Sequence, residues 1–108
     1  MKENIINTKS YNFALRTIKL YHYLTKNFKK YTLSKQILKS GTSIGANVEE
    51  ATGGISRKDF TNKLSIAYKE ARETHYWLRL LKDTDYLNVK LFVSLKMIAW
   101  NYAKYYFQ

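Results

Sequence analysis

Two groups of side chains in this sequence have types and spacings that could do chemistry: a set of carboxylates and histidines, and a series of cations. Glu70 and Glu73 stand three residues apart, as do Asn47 and Glu50, and Ser43 lies four before Asn47. On a helix, residues three or four apart share a face. Ser40, Ser43, Asn47 and Glu50 therefore form one line, and Glu70 and Glu73 another. Paired carboxylates inside a helical bundle suggest a di-iron site, but that chemistry also needs Glu-x-x-His on two helices. The residues three before His22 and His75 are Lys19 and Arg72, so the motif is missing and no metal is expected. The reading is a structural polar network of Ser43, Asn47, Glu50, Glu70 and Glu73 that fixes helix register or subunit contacts, because buried polar groups are normally satisfied. His22 is expected at the surface and His75 in the core, neither beside a nucleophile motif. The four glycines form neither a phosphate-cradling loop nor a dinucleotide fingerprint. No catalytic residue and no cofactor is expected, and the protein is expected not to be an enzyme.

The cations make the other group. Lys9, Arg16, Lys19, Lys26 and Lys30, with Tyr23 among them, are separated by steps of 3, 4 and 7 and fall in one helical stripe. Lys35 and Lys39 carry it into the next helix. Nineteen Lys and Arg against eight Asp and Glu give a net charge of +11. The excess is uneven. Residues 1–48 hold nine basic and one acidic residue, residues 49–85 seven of each, and residues 86–108 three lysines and no acid. Such a stripe would hold phosphates as point charges, with Tyr23 and Tyr31 able to stack on bases. The competing reading is a solvated lysine face. The scarcity of acids favours phosphate, since an ordinary solvated face mixes signs. No sequence-reading module is present, so RNA or DNA would be bound by shape and charge. The alternative is a protein-interaction scaffold for an acidic protein or a nucleic-acid enzyme, with charge acting in steering.

Four helices must position these groups. The first runs from about Ser10 to Lys29, with Phe13, Ala14, Ile18, Tyr21, Leu24 and Phe28 on its apolar face and the cations opposite. The second runs from about Ser34 to Ala51, capped by Thr32 or Ser34, with a seam of Leu33, Ile37, Gly41, Ile44, Val48 and Ala51. Its two internal glycines each cost about 1 kcal/mol relative to alanine. Ser40, Gly41, Ser43, Gly45 and Ala46 leave little bulk, which predicts close approach of another backbone. Gly53 and Gly54 end the helix. Ser56 with Asp59 makes a variant capping box for a third helix to about Lys82, seamed by Phe60, Leu64, Ala67, Tyr68, Ala71, His75 and Leu78. Asn88 can cap a fourth helix that reaches about Tyr106.

That last helix is apolar nearly all round. Leu91, Leu95, Ile98, Tyr102 and Tyr105 form one seam, and Phe92, Met97, Trp100 and Phe107 lie elsewhere on the circumference. One core does not use so many directions, so Trp100, Phe92, Met97 and Phe107 are assigned to the interface of a homo-oligomer. A membrane-surface helix is the weaker alternative, with only Lys90, Lys96 and Lys104 to meet lipid. The expected fold is all-α, an antiparallel up-down-up-down four-helix bundle. It forms a single domain over residues 1–108, with residues 1–9 a flexible N-terminal segment. Without cysteine or proline there are no disulfides and no thiolate metal sites, in keeping with a reducing, cytoplasmic setting. No apolar run nears the ~20 residues of a membrane span, and the polar first ten residues lack a signal peptide's apolar segment.

Three stretches carry a resemblance. They are Ser43-Ile44-Gly45-Ala46-Asn47-Val48-Glu49-Glu50-Ala51, then Ser56-Arg57-Lys58-Asp59-Phe60, then Lys69-Glu70-Ala71-Arg72-Glu73-Thr74-His75-Tyr76-Trp77-Leu78. With them the chain resembles the bacterial four-helix-bundle family of 23S ribosomal RNA intervening-sequence proteins. That family includes the accessory variability determinant proteins of diversity-generating retroelements. The resemblance spans roughly Ser10 to Phe107. It is specific in the middle and a matter of pattern in the first and last helices. Many members have proline where this chain has Gly45. The resemblance implies an antiparallel four-helix bundle assembled into ring-shaped homo-oligomers, pentamers, with a basic surface. For the retroelement branch it implies binding to nucleic acid and to a reverse transcriptase. For the other branch it implies only genes placed within inserts in ribosomal RNA genes.

Overall fold

The computed structural model describes the backbone of residues 2–96 and the side chains of residues 5–96. Three helices lie wholly within that range: α1 (Lys2–Phe28), α2 (Tyr31–Thr52) and α3 (Arg57–Asp83). A fourth, α4, is helical over its described residues 89–96, and no strand occurs among the described residues.

The buried positions follow a rule stricter than the apolar pattern. On α1 they are Ile6, Ser10, Phe13, Thr17, Leu20 and Leu24, on α3 Ala67, Ala71, Thr74, Leu78 and Leu81, and on α2 the line Ser34, Ile37, Gly41, Ile44, Val48 and Ala51, with Ser40 and Gly45 buried beside it. The steps alternate between 3 and 4, which is the heptad spacing of helices packed nearly side by side. Leu87, Phe92 and Leu95 join the same core from the last turn and α4.

Several heptad positions are hydroxyls, which a reading for apolar residues passes over. Each is buried with its oxygen satisfied. Thr17 donates to the Phe13 carbonyl at 2.8 Å, Thr74 lies 2.8 Å from the Glu70 carbonyl, and Ser10 donates to the Asn7 carbonyl. A hydroxyl bonded back to its own helix costs the core little. The Ser40 and Thr74 hydroxyls also meet each other at 2.9 Å across α2 and α3.

The small residues of α2 let α1 approach, as their lack of bulk predicts. A β-carbon on Gly41 would lie 2.6 Å from Thr17 Cγ2 and Oγ1, and one on Gly45 would lie 3.3 Å from the Ser10 carbonyl oxygen. Asn7 pairs with Thr52. As α1 advances from Asn7 through Ser10 to Thr17, its partners on α2 fall from Thr52 through Gly45 to Gly41, so α2 runs back along α1. Likewise Lys63 meets Glu50 and Thr74 meets Ser40, so α3 runs back along α2.

Three boundaries depart from expectation. The segment expected to be a flexible lead-in, residues 1–9, is from Lys2 onward the start of α1, and it places Ile6 in the core. The cause is the heptad line through Ile6 and Ser10, which prolongs the seam by two steps. α2 begins at Tyr31 after Lys30, with no side-chain cap. Ser34, expected as a cap, is instead a buried seam residue that donates to the Lys30 carbonyl. The turn before it passes through Lys29 with φ 53°, whose N–H returns to the Thr25 carbonyl at 3.2 Å, the left-handed helix ending usually given to glycine. The other stops behave as read. Gly53 closes α2 and Ser56 Oγ accepts from the Asp59 N–H. Asn88 Oδ1 accepts from the Leu91 N–H at 2.7 Å.

Candidate nucleic-acid interface

The cationic stripe of α1 does not lie opposite the core. It runs along the flank that faces α4, because the buried line passes through Leu20 rather than through Ile18 and Phe28. Those two were assigned to the apolar face, yet they are 40% and 39% exposed. The farther side of α1 carries a second apolar line of Tyr11, Leu15 and Ile18, all exposed and again spaced by 4 and 3.

Arg16, Lys19 and Tyr23 border a groove between α1 and α4 whose other walls are Leu20, Leu91 and Leu95. Arg16 is half-buried, and its guanidinium donates to Ser94 Oγ at 2.9 Å. Lys9, Lys19 and Lys26 are exposed along the same helix. Lys30 closes this end of the molecule with its ammonium 4.8 Å from the centre of the Tyr86 ring, a cation–π contact.

Lys35 and Lys39 are exposed on α2, and the stripe does not run into them as one line. Lys39 sits close enough to Glu70 of α3 to offset part of the rise that burial and Glu73 cause in its carboxyl, whereas Arg16 and Lys19 face α4. The cations thus form two sets on different flanks. Sequence spacing places residues around one helix but does not orient one helix about another. Tyr23 and Tyr31 are exposed, at 41% and 53%, so both rings are open to a stacking partner. The Tyr23 ring also meets Phe28 edge-on, with 5.7 Å between centroids.

The polar network expected of Ser43, Asn47, Glu50, Glu70 and Glu73 does not form as one unit. Ser43 donates to the Lys39 carbonyl and Asn47 to the Ser43 carbonyl, both within α2. Glu50 pairs with Lys63 at 2.7 Å, and that contact raises the Lys63 pKa. Glu73 is exposed. Glu70 has its pKa raised, chiefly by burial and secondly by the nearby Glu73. A polar contact that does join α2 to α3 inside the core is Ser40 with Thr74; Ser40 belongs to the polar line expected on α2, and its partner Thr74 does not belong to the expected network.

His22 is exposed, as read. His75 is half-buried with its pKa lowered by burial and then by Arg79 and Lys96. Of the residues assigned to a subunit interface, Phe92 belongs instead to the chain's own core. It is 8% exposed, its ring lies near His75, and the Lys82 and Lys96 ammoniums are 5.4 and 5.9 Å from its centre. It is the first core residue of α4, three before Leu95. Met97, Trp100 and Phe107 lie outside the described residues. No described helix is long and apolar enough to cross a membrane.

The comparisons agree with this architecture. A search of the curated proteins finds no match. Among solved structures, the chain is similar to a protein with unknown function from the S23 ribosomal protein family of Bacteroides thetaiotaomicron VPI-5482. The two share 47% identity and superpose with a TM-score of 0.97, over 99% of this chain and 96% of that one. The model of the 23S rRNA-intervening sequence protein family matches residues 2–105. The match over nearly the whole chain, together with the 47% identical structure, places it: the chain belongs to the family of 23S rRNA-intervening sequence proteins.

Proposed function

We propose that this protein is a non-enzymatic, homo-oligomeric adaptor that holds RNA or DNA by its phosphates through α1 and the start of α2. The observation that carries the reading is where the cations stand. Arg16, Lys19, Lys26, Lys30, Lys35 and Lys39 lie at least partly in solvent on the part of the chain that has one acid in 48 residues. Two ion pairs, Glu50–Lys63 and Lys82–Asp83, tie up acids and lysines on or against α3. Lysine ammoniums bind phosphates without reading bases, so sequence preference is slight. Exposed Tyr23 and Tyr31 add sequence-tolerant stacking.

Self-association is supported by the Tyr11, Leu15 and Ile18 line, which the chain's own core leaves uncovered. An oligomer repeats the cationic flank, so contacts that are weak singly act together. Light scattering at micromolar concentration should give several times the 12.8 kDa chain mass, and a monomer there would remove this part of the reading.

The test of binding is a mobility shift at low salt with mixed-sequence RNA and with duplex DNA. Changing Arg16, Lys19 and Lys26 together to Glu should abolish the shift while leaving helicity and mass unchanged. The control reverses Arg57, Lys58 and Lys69, which are exposed on α3, and should retain most of it. Lys63 and Lys82 are left alone because one is paired with Glu50 and the other lies on the Phe92 ring. Equal loss in both triple variants would mean that net charge alone binds.

A further inference from the structure

The groove between α1 and α4 has a composition that phosphate binding does not require. It encloses about 460 Å³, and leucines make half of its lining residues: Leu20 and Leu95 are buried, Leu91 is half-exposed on the wall, and Tyr23 joins them beside the two cations. Its cations stand at the edge. Arg16 and Lys19 are three residues apart on one turn of α1, and the hydrogen bond to Ser94 fixes the Arg16 guanidinium there. A nucleobase can stack on the outer Tyr23 ring, but pushed down onto the leucines it would lose water from its polar edges and find few partners for them, which is costly. An aliphatic or aromatic side chain loses nothing of the kind and gains by burial. Carboxylates placed about a turn from that side chain would meet Arg16 and Lys19 as charge-assisted hydrogen bonds. An apolar anchor with acids three or four positions away on the same face describes an amphipathic acidic helix, the helix-in-groove mode of recognition.

We propose that the α1–α4 groove is a docking site for an acidic amphipathic helix of a partner protein, with one leucine- or phenylalanine-sized side chain seated against Leu20, Leu91 and Leu95 and its flanking carboxylates on Arg16 and Lys19. The lack of acids on this half of the molecule steers such a partner to the groove. This assignment goes beyond the phosphate reading and does not depend on it, since the feature that selects the partner is the leucine floor.

The probe is a fluorescein-labelled helical peptide of about 18 residues, five turns, with Leu at every third or fourth position and Glu beside each. A scrambled peptide of identical composition is its control. Fluorescence anisotropy is measured on the full chain. The amphipathic peptide should bind at least about tenfold tighter than the scrambled one. Leu91→Glu should remove that preference while circular dichroism and the melting temperature hold. Lys19→Glu, a change at an exposed position, should weaken the amphipathic peptide about tenfold and so serves as the second variant if Leu91→Glu does not fold. Equal binding of the two peptides would overturn the proposal, because charge alone would then account for it. Two further outcomes would also overturn it. A single-stranded oligonucleotide that displaces the peptide and itself loses affinity in Leu91→Glu would give the groove to nucleic acid. A Leu91→Glu variant of lower mass by light scattering would give it to a subunit contact.

Discussion

Replacing Gly41 by alanine pits two effects against each other, and the structure says which wins. Alanine inside a helix gains about 1 kcal/mol over glycine from propensity. Against that, the added β-carbon would stand 2.6 Å from both Thr17 Cγ2 and Oγ1 and 3.1 Å from Thr17 Cβ. Thr17 is 2% exposed, and its hydroxyl donates to the Phe13 carbonyl at 2.8 Å. Its β-branched side chain has few rotamers to retreat into, and no rotation moves its Cβ. The helices must part locally; overpacking costs about 1–3 kcal/mol, and two contacts at 2.6 Å put this case in the upper part of that range, about 2–3 kcal/mol. We expect Gly41→Ala to be less stable by about 1–2 kcal/mol net, a fall of roughly 5–10 °C in melting temperature for a domain of this size. Thr17→Ala removes the two closest atoms, so the double variant should recover much of the loss, with a coupling of about 1–2 kcal/mol in the cycle. The assay is urea and thermal unfolding of the wild type, both single variants and the double variant at one fixed protein concentration. A Gly41→Ala protein as stable as wild type, or effects that simply add, would show that α1 and α2 are not pressed together at this point.

Three further changes have signs fixed by the same coordinates. Lys29 carries a side chain at φ 53°, a conformation that costs a non-glycine residue about 1–2 kcal/mol; Lys29→Gly should therefore raise stability by about 0.5–1 kcal/mol, measured as a higher urea midpoint. Ser56→Ala removes the side-chain acceptor for the Asp59 N–H and should cost about 1 kcal/mol, read from the same titration. Burial, and then Glu73, raise the Glu70 carboxyl above its ordinary value of 4.5. The folded state then holds that proton more readily than the unfolded chain, and stability falls as pH rises through the shifted value. Glu70→Gln should stabilise the protein at pH 7, and the gain should shrink below about pH 4.5. A gain that grew on acidification would contradict the assignment.

What the sequence made legible, and what it hid, follow from physical chemistry. Helix stops and caps are local, so Gly53, Ser56 with Asp59, and Asn88 could be read directly. The close approach at Gly41 and Gly45 could be read too, because glycines inside a helix carry a cost that only packing explains. The seams were half legible. Ile37, Ile44, Val48 and Leu78 announce themselves by hydropathy, whereas Ser10, Thr17, Ser34 and Thr74 occupy equivalent heptad positions and look polar. A hydroxyl bonded to its own helix behaves as a small core residue, and no hydropathy scale records that. Passing over Thr17 and Leu20 shifted the inferred face of α1 toward Ile18 and Phe28, and the cations were then placed opposite the core instead of beside α4. The groove lined by Leu20, Leu91 and Leu95 was hidden for a related reason: it belongs to two helices 70 residues apart, and periodicity within one helix does not show which neighbour it meets. The carboxylates do not share one site: Glu70 and Glu73 lie near each other on α3, whereas Glu50 pairs with Lys63.

The measurement closest to the central claim is the salt dependence of nucleic-acid binding by the unmodified protein. Binding constants for a mixed-sequence RNA, taken between about 50 and 200 mM monovalent salt, give a logarithmic slope that counts the phosphates neutralised, about 0.7 for each on a single strand. The account predicts a steep negative slope equal to several phosphates, little dependence on sequence, and no measurable binding at the lowest salt when Arg16, Lys19 and Lys26 are changed to Glu. Failure of the unmodified protein to bind either RNA or duplex DNA at the lowest salt would contradict it.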